Sequence, residues 1–288
     1  MLTQYQEPPA AGVRGELHQD RFLGDLDLTR WTSPIGKFLA SAVRRVSKVF
    51  GHHTALILIM CVGAVIAAAL TAVFSEVYES VVNADGVAGL DHPVLGAAKS
   101  VRSPAVDLII TGYTDIGGTV GMPILAVTTA VLLSLRRRSW TPAILLVIGG
   151  AGSLLMTIAG KHLIGRMRPL LSDAVPPYEY SASFPSGHSL NSVVIAGIVA
   201  YLIILRLTSG RGRVLTITLA AAFALTMGLS RVYLGHHWLT DVLAAWSLGL
   251  AWLALVITAH RLYLTSRKRA AHASTTAKAR TYQPDAQP

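Results

Sequence analysis

Six stretches of this 288-residue sequence are long and apolar enough to cross a bilayer, and they leave little chain for anything else. They lie near Thr54–Phe74, Gly117–Leu135, Thr141–Leu163, Leu190–Leu207, Val214–Leu229 and Val242–Leu262. A helix needs about 20 apolar residues to span the hydrocarbon. The second stretch is interrupted by glycines and Pro123, and Pro104–Ile116 before it, with Asp107 and Asp115, reads as an extension of that helix outside the bilayer. Only 14% of residues are charged, against about 25% in soluble domains, so a water-soluble globule is excluded. The fold class expected is all-α: a polytopic membrane protein built as a bundle of six transmembrane helices. The single cysteine, Cys61, lies inside an apolar run, which rules out an intrachain disulfide and a cysteine-based metal cluster.

Six spans place both termini on one side, and the basic residues say which. With a cytoplasmic N-terminus, all 25 Lys and Arg lie inside except Lys99, Arg102, Lys161, Arg166, Arg168 and Arg231. That asymmetry is the positive-inside pattern of a multi-pass plasma-membrane protein with both ends cytoplasmic. It accounts for the net charge of +10 through topology and anionic lipid, without nucleic acid. Residues 1–30 read as a disordered cytoplasmic tail. Residues 31–50 read as an amphipathic interfacial helix, with Ile35, Phe38, Leu39, Val43, Val46 and Phe50 at helical spacing among basic residues. Residues 54–262 hold the six spans, and 263–288 read as a basic, disordered cytoplasmic tail.

Four of the six outer cations sit at span ends. One alone reads as a snorkelling side chain, but ionisable groups at membrane depth lean functional, and these fall in three short segments. The first runs Lys161-His-Leu-Ile-Gly-Arg166-Met-Arg168-Pro169. If it is helical, Lys161 and Arg168 stand two turns apart on one face. The second, Pro185-Ser186-Gly187-His188, opens a span with free backbone N–H groups, which favours an anion. The third runs from Ser230-Arg231 to His236-His237 and Asp241. His237 and Asp241 are four apart, so a carboxylate can hold one ring nitrogen and leave the other to react. The topology puts all three segments on the outer face, where arginine forks suit phosphoryl oxygens.

These segments resemble the signature motifs of the type 2 phosphatidic acid phosphatase family: K-x6-R-P, P-S-G-H and S-R-x5-H-x3-D. All three are matched in full and in order, and the resemblance covers roughly residues 54–262. It implies a phosphatase/haloperoxidase-type core and a lipid phosphatase that needs no metal and no cofactor. It also implies that His237 is the nucleophile, forming a phosphohistidine, with Asp241 orienting it. His188 is then the general acid and base, while Lys161, Arg168, Ser186, Gly187 and Arg231 bind phosphate. Arg166, Pro185 and His236 are possible pocket residues. The loop Leu170–Phe184, with Asp173, Tyr178, Glu179 and Tyr180, departs from the motifs and reads either as a gate or as a solvated connection.

The expected substrate is a phospholipid or isoprenoid phosphate, such as phosphatidic acid, phosphatidylglycerol phosphate or undecaprenyl diphosphate, presented from the bilayer at the extracytoplasmic face. No obligatory protein partner is visible. The rivals are a phosphotransferase of the same superfamily, a haloperoxidase-like activity and a non-catalytic lipid-phosphate binder. A binder needs the cations but not His188, His237 and Asp241 together.

Overall fold

The computed structural model describes residues 22–23, 26–27 and 54–281, with side chains placed from 56 to 267. The expected interfacial helix over 31–50 and nearly all of the N-terminal tail lie outside the described residues. A two-residue pairing joins β1 (Phe22–Leu23) to β2 (Leu26–Asp27) in antiparallel register. The helices are α1 (Thr54–Asn83), α2 (Asp91–Ser100), α3 (Pro104–Asp115), α4 (Gly121–Arg137), α5 (Thr141–Ile164), α6 (Gly187–Ile204), α7 (Gly210–Tyr233) and α8 (Leu239–Thr281).

Five segments within these helices are long and apolar enough to cross a membrane: Leu56–Asn83, Thr141–Ile164, Gly187–Ile204, Gly210–Tyr233 and Leu239–Arg267. The remaining helix of the expected six, α4, has 17 residues and ends on Arg136 and Arg137. At 1.5 Å per residue it rises about 26 Å, just under the hydrocarbon thickness. Pro104–Ile116 is not an extension of it. Ser103 caps α3 with Pro104 in its first turn, and the chain turns through Gly117 and Gly118 before α4 starts.

Both ends of the bundle exceed the apolar runs that define them. α1 continues past Phe74 to Asn83, carrying Glu76 and Glu79 on its last turns. α8 continues to Thr281, into the stretch whose composition reads as a disordered tail. Its Ala, Lys and Arg residues are strong helix formers, and an established helix needs only to propagate.

α6 is the axis of the fold. It packs against α5, α7 and α8, while α1 lies along α8 and α4 flanks α5. Leu190, Val194, Ile198 and Leu202 make an i, i+4 stripe on α6, enclosed by Leu145 and Leu146 of α5 and Ala245 and Val256 of α8. Large apolar side chains elsewhere, such as Val65, Val147 and Leu155, face outward, as lipid-facing positions require. This packing brings the end of α5, the start of α6 and the α7–α8 turn to one end of the bundle, where the three sequence segments meet.

Candidate active site

Two glycine turns shape the site. Gly165, at φ +61, ends α5, so Arg168 is not on that helix. The expectation that Lys161 and Arg168 share a helical face is therefore corrected, since a left-handed residue terminates the helix before two turns are complete. The two cations converge by another route. Lys161 Nζ donates to Ser181 Oγ at 3.1 Å and to the Ala182 carbonyl. Arg168 donates from Nε to the Ser181 carbonyl at 2.7 Å and from Nη2 to Ser181 Oγ at 3.1 Å. The second turn is at Gly235, φ +73, where any Cβ would collide with the Asp173 carbonyl. Beyond it the His236 and His237 N–H groups both donate to the Arg231 carbonyl, at 3.0 and 3.2 Å, which fixes Arg231 and His237 next to each other.

His237 and Asp241 are almost fully buried, 1% and 0% exposed. Nδ1 of His237 lies 3.3 Å from Oδ2 of Asp241. Ser183 Oγ donates to that same oxygen, and the Trp238 N–H donates to it at 2.9 Å. With the ring proton assigned to Nδ1, Nε2 presents its lone pair to Nη1 of Arg168 at 3.2 Å. Burial, with Arg168 and Arg231 beside it, holds the His237 imidazole well below its ordinary pKa. The arrangement is thus a neutral imidazole, held from behind by a carboxylate, with Nε2 beside a guanidinium.

The cradle around that nitrogen is cationic. Arg231 is 2% exposed, and its buried Nε has no hydrogen-bond partner. Lys161 and His188 interact electrostatically with both Arg168 and Arg231. His188 sits in the first turn of α6, near Gly118. Ser186 is the N-cap of α6, its Oγ accepting from Ser189 Oγ at 2.9 Å. Its backbone N–H donates to the Asp241 carbonyl at 3.2 Å, which ties the start of α6 to α8. Gly187 lies against Thr157 of α5, and Pro185 packs on Gly160 of the same helix. These close approaches set the gap between α5 and α6.

Arg166 is not at the mouth. It points behind the site, with Nη1 on Asp241 Oδ1 at 2.6 Å and on Thr240 Oγ1 at 2.8 Å, and with Nη2 on Asp91 Oδ2 at 2.7 Å. Gly165 ends α5 just before Arg166, so the direction of this side chain is set by the irregular segment that follows and not by the helix. His236 is half structural. Its Nε2 bonds the Val175 carbonyl at 2.7 Å, while the buried Nδ1 has no hydrogen-bond partner.

Sequence reasoning misses Asp91, Ser183 and Thr240. Asp91 is 1% exposed and accepts from the Thr240 N–H at 2.9 Å as well as from Arg166. It sits some seventy residues upstream of the first motif, with nothing periodic to flag it. Its one visible signal is a carboxylate opening a short helix soon after the first apolar run.

A family model described as the PAP2 superfamily matches residues 140–263. Phosphatidylglycerophosphatase B of Bacillus subtilis is 32% identical over 184 residues, 64% of this chain and 89% of that protein. The chain belongs to the PAP2 superfamily. A second relative is the undecaprenyl-diphosphatase of Sulfolobus acidocaldarius, 30% identical over 134 residues, 45% of this chain and 60% of that one. Among solved structures, a transmembrane PAP2-type phosphatidylglycerolphosphate phosphatase from Bacillus subtilis superposes with a TM-score of 0.56 at 29% identity, covering 70% of this chain and 93% of that chain. The PAP2 match begins one residue before α5 and ends inside α8, so it contains every motif residue but neither α1 nor Asp91.

Proposed function

We propose that this protein is a lipid phosphate phosphatase that works through a phosphohistidine on His237. The observation that carries the reading is the line Asp241 Oδ2–His237 Nδ1 and His237 Nε2–Arg168 Nη1, which aims an oriented nucleophile into a cationic cradle. In the first half-reaction Nε2 attacks phosphorus and the bond to the leaving oxygen breaks. His188 gives that oxygen its proton. Lys161, Arg168 and Arg231, with the Gly187 N–H and Ser186, hold the equatorial oxygens as charge builds. In the second half-reaction His188 takes a proton from water, the oxygen of that water attacks phosphorus, and the P–N bond breaks to release inorganic phosphate.

The names of the two relatives support phosphatidylglycerol phosphate as substrate and an isoprenoid diphosphate as the second candidate. The test is phosphate release by purified protein in detergent across phosphatidylglycerol phosphate, phosphatidic acid and undecaprenyl diphosphate, with and without EDTA. Release from at least one lipid, unchanged by EDTA, is expected. Inactivity on all three contradicts the reading, and a loss with EDTA that magnesium restores contradicts metal independence.

The same proposal includes six spans in the plasma membrane, with α4 as the short one, both termini cytoplasmic and the site extracytoplasmic. The distribution of Lys and Arg supports it, as does the run Arg136–Arg138 at the end of α4. A reporter joined after residue 288 should be cytoplasmic, and an exported reporter refutes this topology.

A further inference from the structure

The cradle already holds an anion, and the chain supplies it. Glu179, in the irregular segment between the 3-10 turn Leu171–Asp173 and α6, extends its carboxylate between the two arginines. Oε2 is 2.8 Å from Arg168 Nη2, and Oε1 is paired with Arg231 Nη2. Oε1 also lies 3.9 Å from the unpartnered Nδ1 of His236. His237 and His188 are both within its electrostatic reach. Burial alone would raise the Glu179 carboxyl, but Arg231 and Arg168 hold it down at about 2, so it is fully ionised. A carboxylate spanning two guanidinium groups uses the donors that two phosphoryl oxygens would use.

The surrounding chain lets this carboxylate leave. The segment is fastened on both sides of Glu179. Val175 donates its N–H to the Leu234 carbonyl at 2.9 Å, and the Ser183 N–H donates to the Arg166 carbonyl at 2.8 Å. Between these ties Tyr178 and Tyr180 are exposed, and Glu179 itself is 32% exposed. The side chain can withdraw to water without breaking either tie.

We propose that Glu179 is a specificity-determining residue: an internal competitor that a ligand must displace from Arg168 and Arg231, so that the cradle takes dianionic phosphomonoesters or diphosphates and rejects the monoanionic phosphodiesters of the bilayer. The proposal rests on the reading of the cradle as a lipid-phosphate site. A site at the membrane boundary faces phosphodiester headgroups at very high local concentration, and bare arginines bind them. A resident carboxylate carries the same single negative charge as a diester and is tethered, so the diester gains nothing by exchange. A terminal phosphoryl group carries nearly two charges and more acceptor oxygens, and it displaces the carboxylate.

The experiment uses the full-length protein in mixed micelles, with phosphatidic acid as substrate and phosphatidylglycerol as the diester competitor. The wild type is compared with Glu179→Gln and Glu179→Ala. In both variants the inhibition constant for phosphatidylglycerol should fall on the order of tenfold. The KM for phosphatidic acid should fall by a similar factor, because a competitor that both lipids displace weakens both alike, with kcat within about threefold. Binding of inorganic phosphate at pH 8, measured by calorimetry, should tighten in both variants. Equal inhibition constants in all three proteins overturn the proposal, as does a raised KM, which would make Glu179 a substrate-holding group. If the wild type releases no phosphate, the lipid phosphatase reading fails by itself. The calorimetry still decides whether Glu179 competes for the cradle, since unchanged phosphate affinity in both variants refutes it.

Discussion

Replacing His237 by alanine is expected to lower phosphate release by about 10⁴-fold or more, while the protein still folds and inserts. The loss follows from removing the one imidazole among the described residues that has one nitrogen beside Arg168 and the other beside a carboxylate. The fold survives because Asp241 keeps Arg166, Ser183 and the Trp238 N–H as partners, so no buried charge is stranded. Wild-type protein mixed with ³²P-labelled substrate and quenched should carry acid-labile, base-stable label that His237→Ala lacks. Turnover near the wild-type rate in that variant refutes the nucleophile assignment. Because the imidazole is pushed well below its ordinary range, its neutral, reactive form should persist as the pH drops through 6.5, the ordinary histidine value. Ring-nitrogen NMR of the unliganded protein checks this, and a His237 titration at or above that value contradicts it.

Arg166→Met is expected to be the most damaging substitution outside the cradle. Arg166 bridges two buried carboxylates, Asp91 and Asp241, across Thr240. Removing one member of a buried ion network costs about 3–5 kcal/mol, because the remaining charges have no solvent. Asp241 would also lose the cation on Oδ1 while Oδ2 still bonds Ser183 and the Trp238 N–H, so the carboxylate would shift away from His237. A drop in midpoint of thermal unfolding and a fall in kcat larger than any change in KM are expected. Arg166→Met combined with Asp91→Asn should recover part of the stability by removing one unpaired charge. A double variant no more stable than the single one overturns this account.

The sequence makes part of this site legible and hides the rest for identifiable reasons. Lys161, Arg168, His188, Arg231, His237 and Asp241 stand out because charged groups at span ends need a reason to be there, and the spacing of His237 and Asp241 is a local helical relation. The pairing of Lys161 with Arg168 is expected for the wrong cause, since Gly165 ends the helix and loop carbonyls do the gathering. Arg166 looks like a mouth residue because it lies between Lys161 and Arg168 in the sequence, while its buried partners Asp91 and Asp241 come from distant segments. Asp91, Ser183 and Thr240 stay hidden because their importance arises only when distant segments close on Asp241. For the fold, apolar runs mark the membrane segments, but the runs alone do not show that α1 and α8 continue past them.

Asp91 has one more consequence. It follows α1 directly, after the turn Gly86–Leu90, and it completes the ion network behind His237 from outside the family-matched region 140–263. The proposed catalytic network is therefore not complete within that stretch. A fragment trimmed to residues 140–263 would keep every signature side chain and still lack Asp91, one of the two carboxylates paired with Arg166, so the start of α2, just beyond α1, is part of the proposed active site's support rather than only a membrane anchor.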